Sequence, residues 1–284
     1  MKKLTILEAE SLAGKFRSEI GLSQYEPVNA KTLLRKLNIT TMYRPLSENS
    51  YGISCRSKSG KKFILVNSNS TRGRQHFTIA HELYHLFYDE NPSPHICQGV
   101  ATGEEKNANM FASALLLPKE GILSMIDKDE IIHSKIKLAT ILRMEQMFQV
   151  SRSNLLLRLK ELGLMNESQV KAFQAIPVKG SAREYGYELS LYESGNEGLV
   201  IGDFGEKARL LYESGKISEG HYIELLNMIT DGRQENYSSV RCRCYQPFLA
   251  RWSCVFVAQY PSGILVHCFG YCEKRTPNAD SDRP

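Results

Sequence analysis

Two histidines and a glutamate stand together in His81-Glu82-Leu83-Tyr84-His85. On an α-helix, side chains four residues apart project from one face about one turn above each other, close enough for two imidazoles to hold a single metal ion. Glu82 lies roughly 100° round the same helix from His81. Its carboxylate can reach a water held beside the ion without taking the coordination position that the water needs. Ligands and a general base therefore come together in one helical turn, as metal-assisted hydrolysis requires. Two histidines bonded only to backbone or water are the alternative, and a third ligand separates the two cases.

Glu105 supplies that candidate, twenty residues past His85. It heads Glu105-Lys106-Asn107-Ala108-Asn109-Met110-Phe111-Ala112, in which Ala108, Phe111, Ala112 and Leu115 recur at three- and four-residue steps between Gly103 and Pro118. This predicts a helix opened by acidic residues. His81, His85 and Glu105 would leave a fourth tetrahedral position for water, the arrangement of a catalytic rather than a structural zinc site. Asn109, one turn beyond Glu105 on the same face, could accept the outer ring N–H of a ligating histidine. Two alternatives stay open: Glu104 is the ligand, or both glutamates only complement the helix dipole.

The elements that must position these residues have their own signals. Phe77, Ala80, Tyr84 and Phe87 form an apolar seam, and neither proline nor glycine interrupts residues 74–88, so the histidines ride on a core helix. Thr5 and Glu8 form a capping-box pattern before a helix that Gly21 stops, and Asn29 caps a second, shorter one. Ile39 to Tyr43, Tyr51 to Cys55 and Lys62 to Val66 read as three strands of a small antiparallel sheet. A substrate peptide could add to its edge as an extra strand, or the strands could simply pack behind the helix. Residues 89–103, with Pro92, Pro94, Gly99 and Gly103, read as a loop bordering the cleft; His95 and Cys97 lie in it and are not assigned to the site.

The run from Phe77 to His85, followed by Glu105 to Ala112 and Leu115-Leu116-Leu117-Pro118, resembles the ImmA/IrrE family of bacterial metallopeptidases. The resemblance implies an α+β, zincin-like domain of the gluzincin kind in which His81, His85 and Glu105 match the Zn2+ ligands and Glu82 the catalytic base. It also implies a cytoplasmic regulator, often carried on mobile elements, that cleaves or antagonises a helix-turn-helix repressor. Many members have glycine where this chain has Tyr84, which bears on helix packing and cleft width rather than on metal binding. Tyr84, Tyr88 and His76 are unranked candidates for an oxyanion donor.

Further on, Leu138 to Phe148, a turn at Gln149-Val150-Ser151 and a helix with Leu155, Leu156, Leu159 and Leu162 look like a helix-turn-helix unit. Residues 134–164 carry six Lys/Arg and two Asp/Glu, so Arg152, Asn154, Arg158 and Lys160 could meet a phosphate backbone. Related family members carry a similar segment as packing and partner-binding structure, and that reading is preferred to nucleic-acid contact. Residues 176–199 read as a linker, and Phe204 to Ser214 with Ser218 to Ile229 as a helical hairpin that docks a repressor or caps the catalytic domain. The expected organisation is thus a metallopeptidase domain at 1–130, a helix-turn-helix-like region at 131–175, the linker, the hairpin at 200–230 and a cysteine-rich segment at 231–284.

Composition sets the outer bounds. The 284 residues are 42% hydrophobic and 24% charged, ordinary for a globular chain, and no apolar run is long enough to span a membrane. Glu8 and Glu10 break the apolar residues after Lys2 and Lys3, which argues against a secretory signal and for a cytoplasmic protein. The net charge of +5 includes +3 from residues 241–284, so it does not itself point to nucleic acid. Five of the seven cysteines crowd the last segment, where Cys242, Cys244, Cys254, Cys268 and Cys272 with His267 could hold a second zinc or pack as thiols in a β segment. The expected function is a zinc endopeptidase that cuts a helix-turn-helix repressor in a mobile-element, stress-response or toxin–antitoxin setting. The alternative is a zinc-containing regulator that binds its repressor, or less readily DNA, without cutting.

Overall fold

A computed structural model describes residues 3–47, 49–89, 95–97, 103–230, 254–259 and 265–270. The chain runs α1 (Ile6–Glu19), α2 (Ala30–Lys36), β1 (Ile39–Arg44), β2 (Gly52–Arg56), β3 (Lys62–Asn67), α3 (Arg72–Tyr88), β4 (His95–Cys97) and α4 (Gly103–Leu116). Helices α5 (Lys119–Met125), α6 (Lys128–Ile132), α7 (Leu138–Phe148), α8 (Arg152–Glu161), α9 (Glu167–Gln174) and α10 (Val178–Glu184) follow. Strand β5 (Val200–Ile201), α11 (Phe204–Glu213) and α12 (Glu219–Thr230) complete the first of two units, Met1–Gly232. The fold class is α+β, as the sequence implied.

The sheet is mixed, which corrects the expectation of an antiparallel one. Its order is β4-β2-β3-β1-β5; β2 runs antiparallel to β3 and β4, whereas β1 runs parallel to β3, with Ile39 opposite Lys62. The reason is a skipped position. The β2–β3 hairpin closes through a turn in which Gly60 has φ +81° and donates to the Ser57 carbonyl at 2.9 Å. The chain leaving β1, however, starts β2 two places away, and β3 fills the gap. Buried Asn67 fixes that crossing: its Nδ2 donates to the Ser50 carbonyl at 2.7 Å and its Oδ1 accepts from Leu46 N at 3.1 Å. Alternation identifies a strand and its buried face, here Ile39, Thr41 and Tyr43, but not the direction of its neighbour.

Helix α3 leaves β3 and is pinned at its start. Gln75, buried, donates to the carbonyls of Ser68, Ser70 and Gly195, and accepts from Asn196 Nδ2 at 2.8 Å. Helices α1, α3 and α4 share the main core. Helix α1 has the expected capping box, Glu8 N donating to Thr5 Oγ1 and Thr5 N to Glu8 Oε2. Arg17 on α1 is fully buried and donates to the Leu115 carbonyl at 2.6 Å, supplying a donor to the C-terminal end of α4. Arg158 on α8 does the same for the Leu117 carbonyl at 3.2 Å.

Residues 176–199, expected as a linker, instead form α10 and a 3-10 turn at Ser190–Tyr192, with Ala182, Leu191 and Tyr192 buried against Leu142. Short polar stretches hid this, because its apolar residues serve a small cluster rather than a long helical stripe. The α11–α12 hairpin forms where expected, with the Tyr212 and Tyr222 rings stacked at 4.9 Å between centroids. In the second unit, Arg233–Pro284, strands β6 (Cys254–Gln259) and β7 (Leu265–Gly270) pair antiparallel. Cys242, Cys244, Cys272 and the tail from Thr276 lie outside the described residues.

Candidate metal centre

The apolar seam read along residues 77–87 turns one face of α3 into the core and carries His81, Glu82 and His85 with it. All three are buried, as is Glu105 in the first turn of α4. Glu104 is exposed, and of the two acids Glu105 is the one that lies beside the histidines. The His81 and His85 Nε2 atoms face each other at 3.1 Å; Glu105 Oε2 is 3.2 Å from His81 Nε2, and its Oε1 is 3.8 Å from His85 Nε2. A tetrahedral ion with metal–N and metal–O bonds of about 2.0–2.2 Å has ligand-to-ligand edges of about 3.3–3.6 Å. The three side chains therefore fit one small divalent cation.

What holds the rings supports the same point. His81 Nδ1–H donates to Asn109 Oδ1 at 2.9 Å, the partner the sequence suggested, and His85 Nδ1–H donates to Asp89 Oδ2 at 2.5 Å. Each Nδ1 is thus engaged behind the ring, and each Nε2 is left toward the shared point. Asp89 is the residue sequence reading passed over, although it stands four residues after His85, the same helical step that relates the two histidines. Burial works against charging His81, but hydrogen bonds to Cys97 and Glu105 and the negative charge of Glu82 outweigh it and raise its pKa to about 10. The acids around His81 favour positive charge at this point, which a divalent ion also supplies.

Cys97, expected in a loop, belongs to the sheet. It lies on β4, is buried, and its Sγ–H donates to Glu105 Oε2 at 3.8 Å. One donor atom each from His81, Cys97 and Glu105 falls within 4.8 Å of the others, a group able to hold a metal ion. The available signal was the short alternating triplet His95-Ile96-Cys97 inside a proline- and glycine-rich stretch, which suits a brief edge strand. Glycine at position 52 lets β2 come close to α3: a Cβ there would meet Thr78 Cγ2 at 2.5 Å and Glu82 Oε1 at 3.0 Å.

Tyr84 faces the core, its ring 5.7 Å from Phe111 and 5.6 Å from Tyr88, and edge-on to His85 at 5.8 Å. It thickens the packing between α3 and α4 and braces a candidate ligand, so its place in the motif is a packing one. Tyr88 joins the same aromatic cluster. His76 sits about 140° round the helix from His81, with Nδ1–H donating to the Gln149 carbonyl at 3.1 Å.

The residues offered to a phosphate backbone are elsewhere engaged. Arg152 is buried and donates to Glu145 Oε1 at 2.6 Å; Arg158 is buried and donates to Glu10 Oε1 at 2.8 Å; Lys160 pairs with Glu167. Nucleic-acid contact through Arg152 and Arg158 is therefore contradicted: leucine spacing on α8 turned its arginines inward along with its apolar face.

Residues 34–160 match the family model of the IrrE N-terminal-like domain, a peptidase M78 domain. This segment is an IrrE N-terminal-like domain. It runs from α2 through α8, so the candidate centre and the α7–α8 pair both lie inside the family's boundaries. No curated protein matches the chain. A solved structure of a Mycobacterium tuberculosis transcriptional regulator is similar at 19% identity and a TM-score of 0.37, over 54% of this chain and 46% of its own. The chain thus spans under half the length of that protein. Among the described residues, no helix is long and apolar enough to cross a membrane.

Proposed function

We propose that the IrrE-like domain is a zinc-dependent endopeptidase, that His81, His85 and Glu105 hold the zinc ion, and that its substrate is a helix-turn-helix transcriptional repressor whose cleavage relieves repression. The carrying observation is the convergence of two imidazole Nε2 atoms and one carboxylate at 3.1–3.8 Å, on two helices, with Glu82 buried in the same turn. A bound zinc would supply Lewis-acid polarisation of the peptide carbonyl and would favour ionisation of the attacking water. Glu82 takes the proton from that water and later delivers it to the leaving amine. Asn109 and Asp89 hold the imidazoles at fixed angles, and burial of the cluster excludes the bulk water that would weaken its field. Zinc is favoured over harder ions by the imidazole ligands, and the repressor as substrate follows from the resemblance to ImmA/IrrE regulators.

The test is to incubate the purified full chain with a helix-turn-helix repressor, with and without a chelator. Repressor fragments that appear only with metal support the reading; a repressor left intact at full zinc occupancy counts against it. A second reading, a zinc-containing regulator that binds the repressor without cutting, is favoured by the Cys97 thiol beside Glu105, since a filled fourth position suits a structural site. An intact complex that co-purifies from the same incubation is its signature.

A further inference from the structure

The zinc reading employs three ligands and leaves Cys97 without a task. Cys97 reaches the cluster by backbone pairing rather than by a chance loop excursion. It ends β4, where it lies opposite Gly52 of β2, and its carbonyl accepts from Tyr51 N at 3.1 Å. Among the described residues, β4 is the edge strand of the sheet on the β2 side. Gly52, its partner, is the residue at which β2 runs against Glu82 of α3. The strand therefore covers the strip of sheet edge next to the proposed base, the strip on which an extended peptide would add as a further strand and present a carbonyl to the cluster.

We infer that β4 is an internal occupant of the substrate edge and that Cys97 is a fourth, displaceable zinc ligand, so that the described arrangement is a latent state of the peptidase. This rests on the zinc-site reading above. Sγ at 3.8 Å from Glu105 Oε2 compares with an edge of about 3.5 Å for a tetrahedral ion carrying one sulfur and one oxygen ligand. Zinc accepts a thiolate readily, and a four-ligand sphere closed by protein is that of a structural site, with no position for the attacking water. Opening requires only that the thiolate leave with its electron pair and take up a proton from water, and that β4 part from β2. Three paired residues, Gly52–Cys97, Ile53–Ile96 and Ser54–His95, are a short ladder to break. A substrate strand that pairs with β2 in place of β4 would open the site as it binds.

The experiment uses the full chain loaded with one equivalent of cobalt(II), compared with C97S and C97A, alongside X-ray absorption of the zinc protein. The expected result is a thiolate-to-cobalt charge-transfer band in the wild type and one sulfur neighbour at about 2.3 Å from zinc. The band is lost in both variants while they keep one equivalent of metal, and cleavage of the repressor becomes faster in C97S. Alkylation of Cys97 by iodoacetamide, followed by mass mapping, should be slowed by metal. A wild-type protein that binds one equivalent with no sulfur neighbour overturns the inference and leaves the three-ligand site standing. So does a band that persists in C97S, which would belong to another of the cysteines. Failure of every form to bind stoichiometric metal overturns the zinc-site reading itself, and this inference with it.

Discussion

Helix pairs α3–α4 and α7–α8 look alike in sequence, each carrying polar residues at helical spacing beside an apolar stripe, yet their buried polar groups are balanced differently. In the α7–α8 pair the buried arginines meet acids: Arg152 takes Glu145 at 2.6 Å, and Arg158 takes the half-buried Glu10 of α1 at 2.8 Å. Those charges close on themselves and act as structure, and Arg158 also holds the end of α4 through the Leu117 carbonyl. In the α3–α4 pair the acids Glu82 and Glu105 meet imidazoles and a thiol, all of them groups that bind metals. A buried cluster whose partners are ligands rather than fixed cations is built to receive positive charge from outside. That difference, and not the presence of buried charge, separates a site from a brace.

Substitutions in the two pairs should therefore fail in different ways. Glu82→Gln should reduce repressor cleavage by about 10²- to 10⁴-fold while elemental analysis still finds the metal; full activity in that variant would mean that Glu82 is not the base. Arg152→Ala strands Glu145 in the core and should cost about 3–5 kcal/mol of stability in denaturant unfolding, with metal content per folded molecule unchanged. A mild effect there would erase the contrast between brace and site. Asn109→Ala, which frees the back of the His81 ring, should weaken metal affinity about 10- to 100-fold in a chelator competition, and leave the unfolding midpoint of the metal-free protein near the wild-type value.

The smallest effect is expected at the seam between the pairs. His76, on α3, faces the Gln149 carbonyl at the α7–α8 turn, and burial lowers its pKa below the usual value despite the opposing carbonyl contacts at Gln149 and Val28. The unfolded chain then takes the proton first, so this contribution to stability is present above about pH 6.5 and is lost as pH falls below it. Thermal melts of His76→Asn between about pH 7.5 and 5.5 should show a shallower decline than the wild type. An identical slope would mean that His76 is not charged differently in the two states.

Much of this was legible in the chain. The four-residue step between His81 and His85, the acid-opened helix at Glu105, the Thr5 and Asn29 caps and the partner role of Asn109 are local patterns with local causes, and each appears in the fold. What escaped depends on long-range pairing. The direction of β1 relative to β3 follows from a crossing fixed by Asn67; the arrival of Cys97 follows from three ladder pairs with β2. The inward turn of Arg152 and Arg158 was concealed for a related reason, since a positive charge count along α7–α8 says nothing about Glu10, far off in α1, or about carbonyls at the end of α4.

The proposed peptidase needs one divalent ion held by His81, His85 and Glu105, and metal analysis of the full chain tests that most directly. Native protein purified without added metal should carry one equivalent of zinc that disappears in the His81→Ala/His85→Ala double variant, with the fold retained by circular dichroism. Native protein with no stoichiometric metal, or a double variant with undiminished zinc, would contradict it.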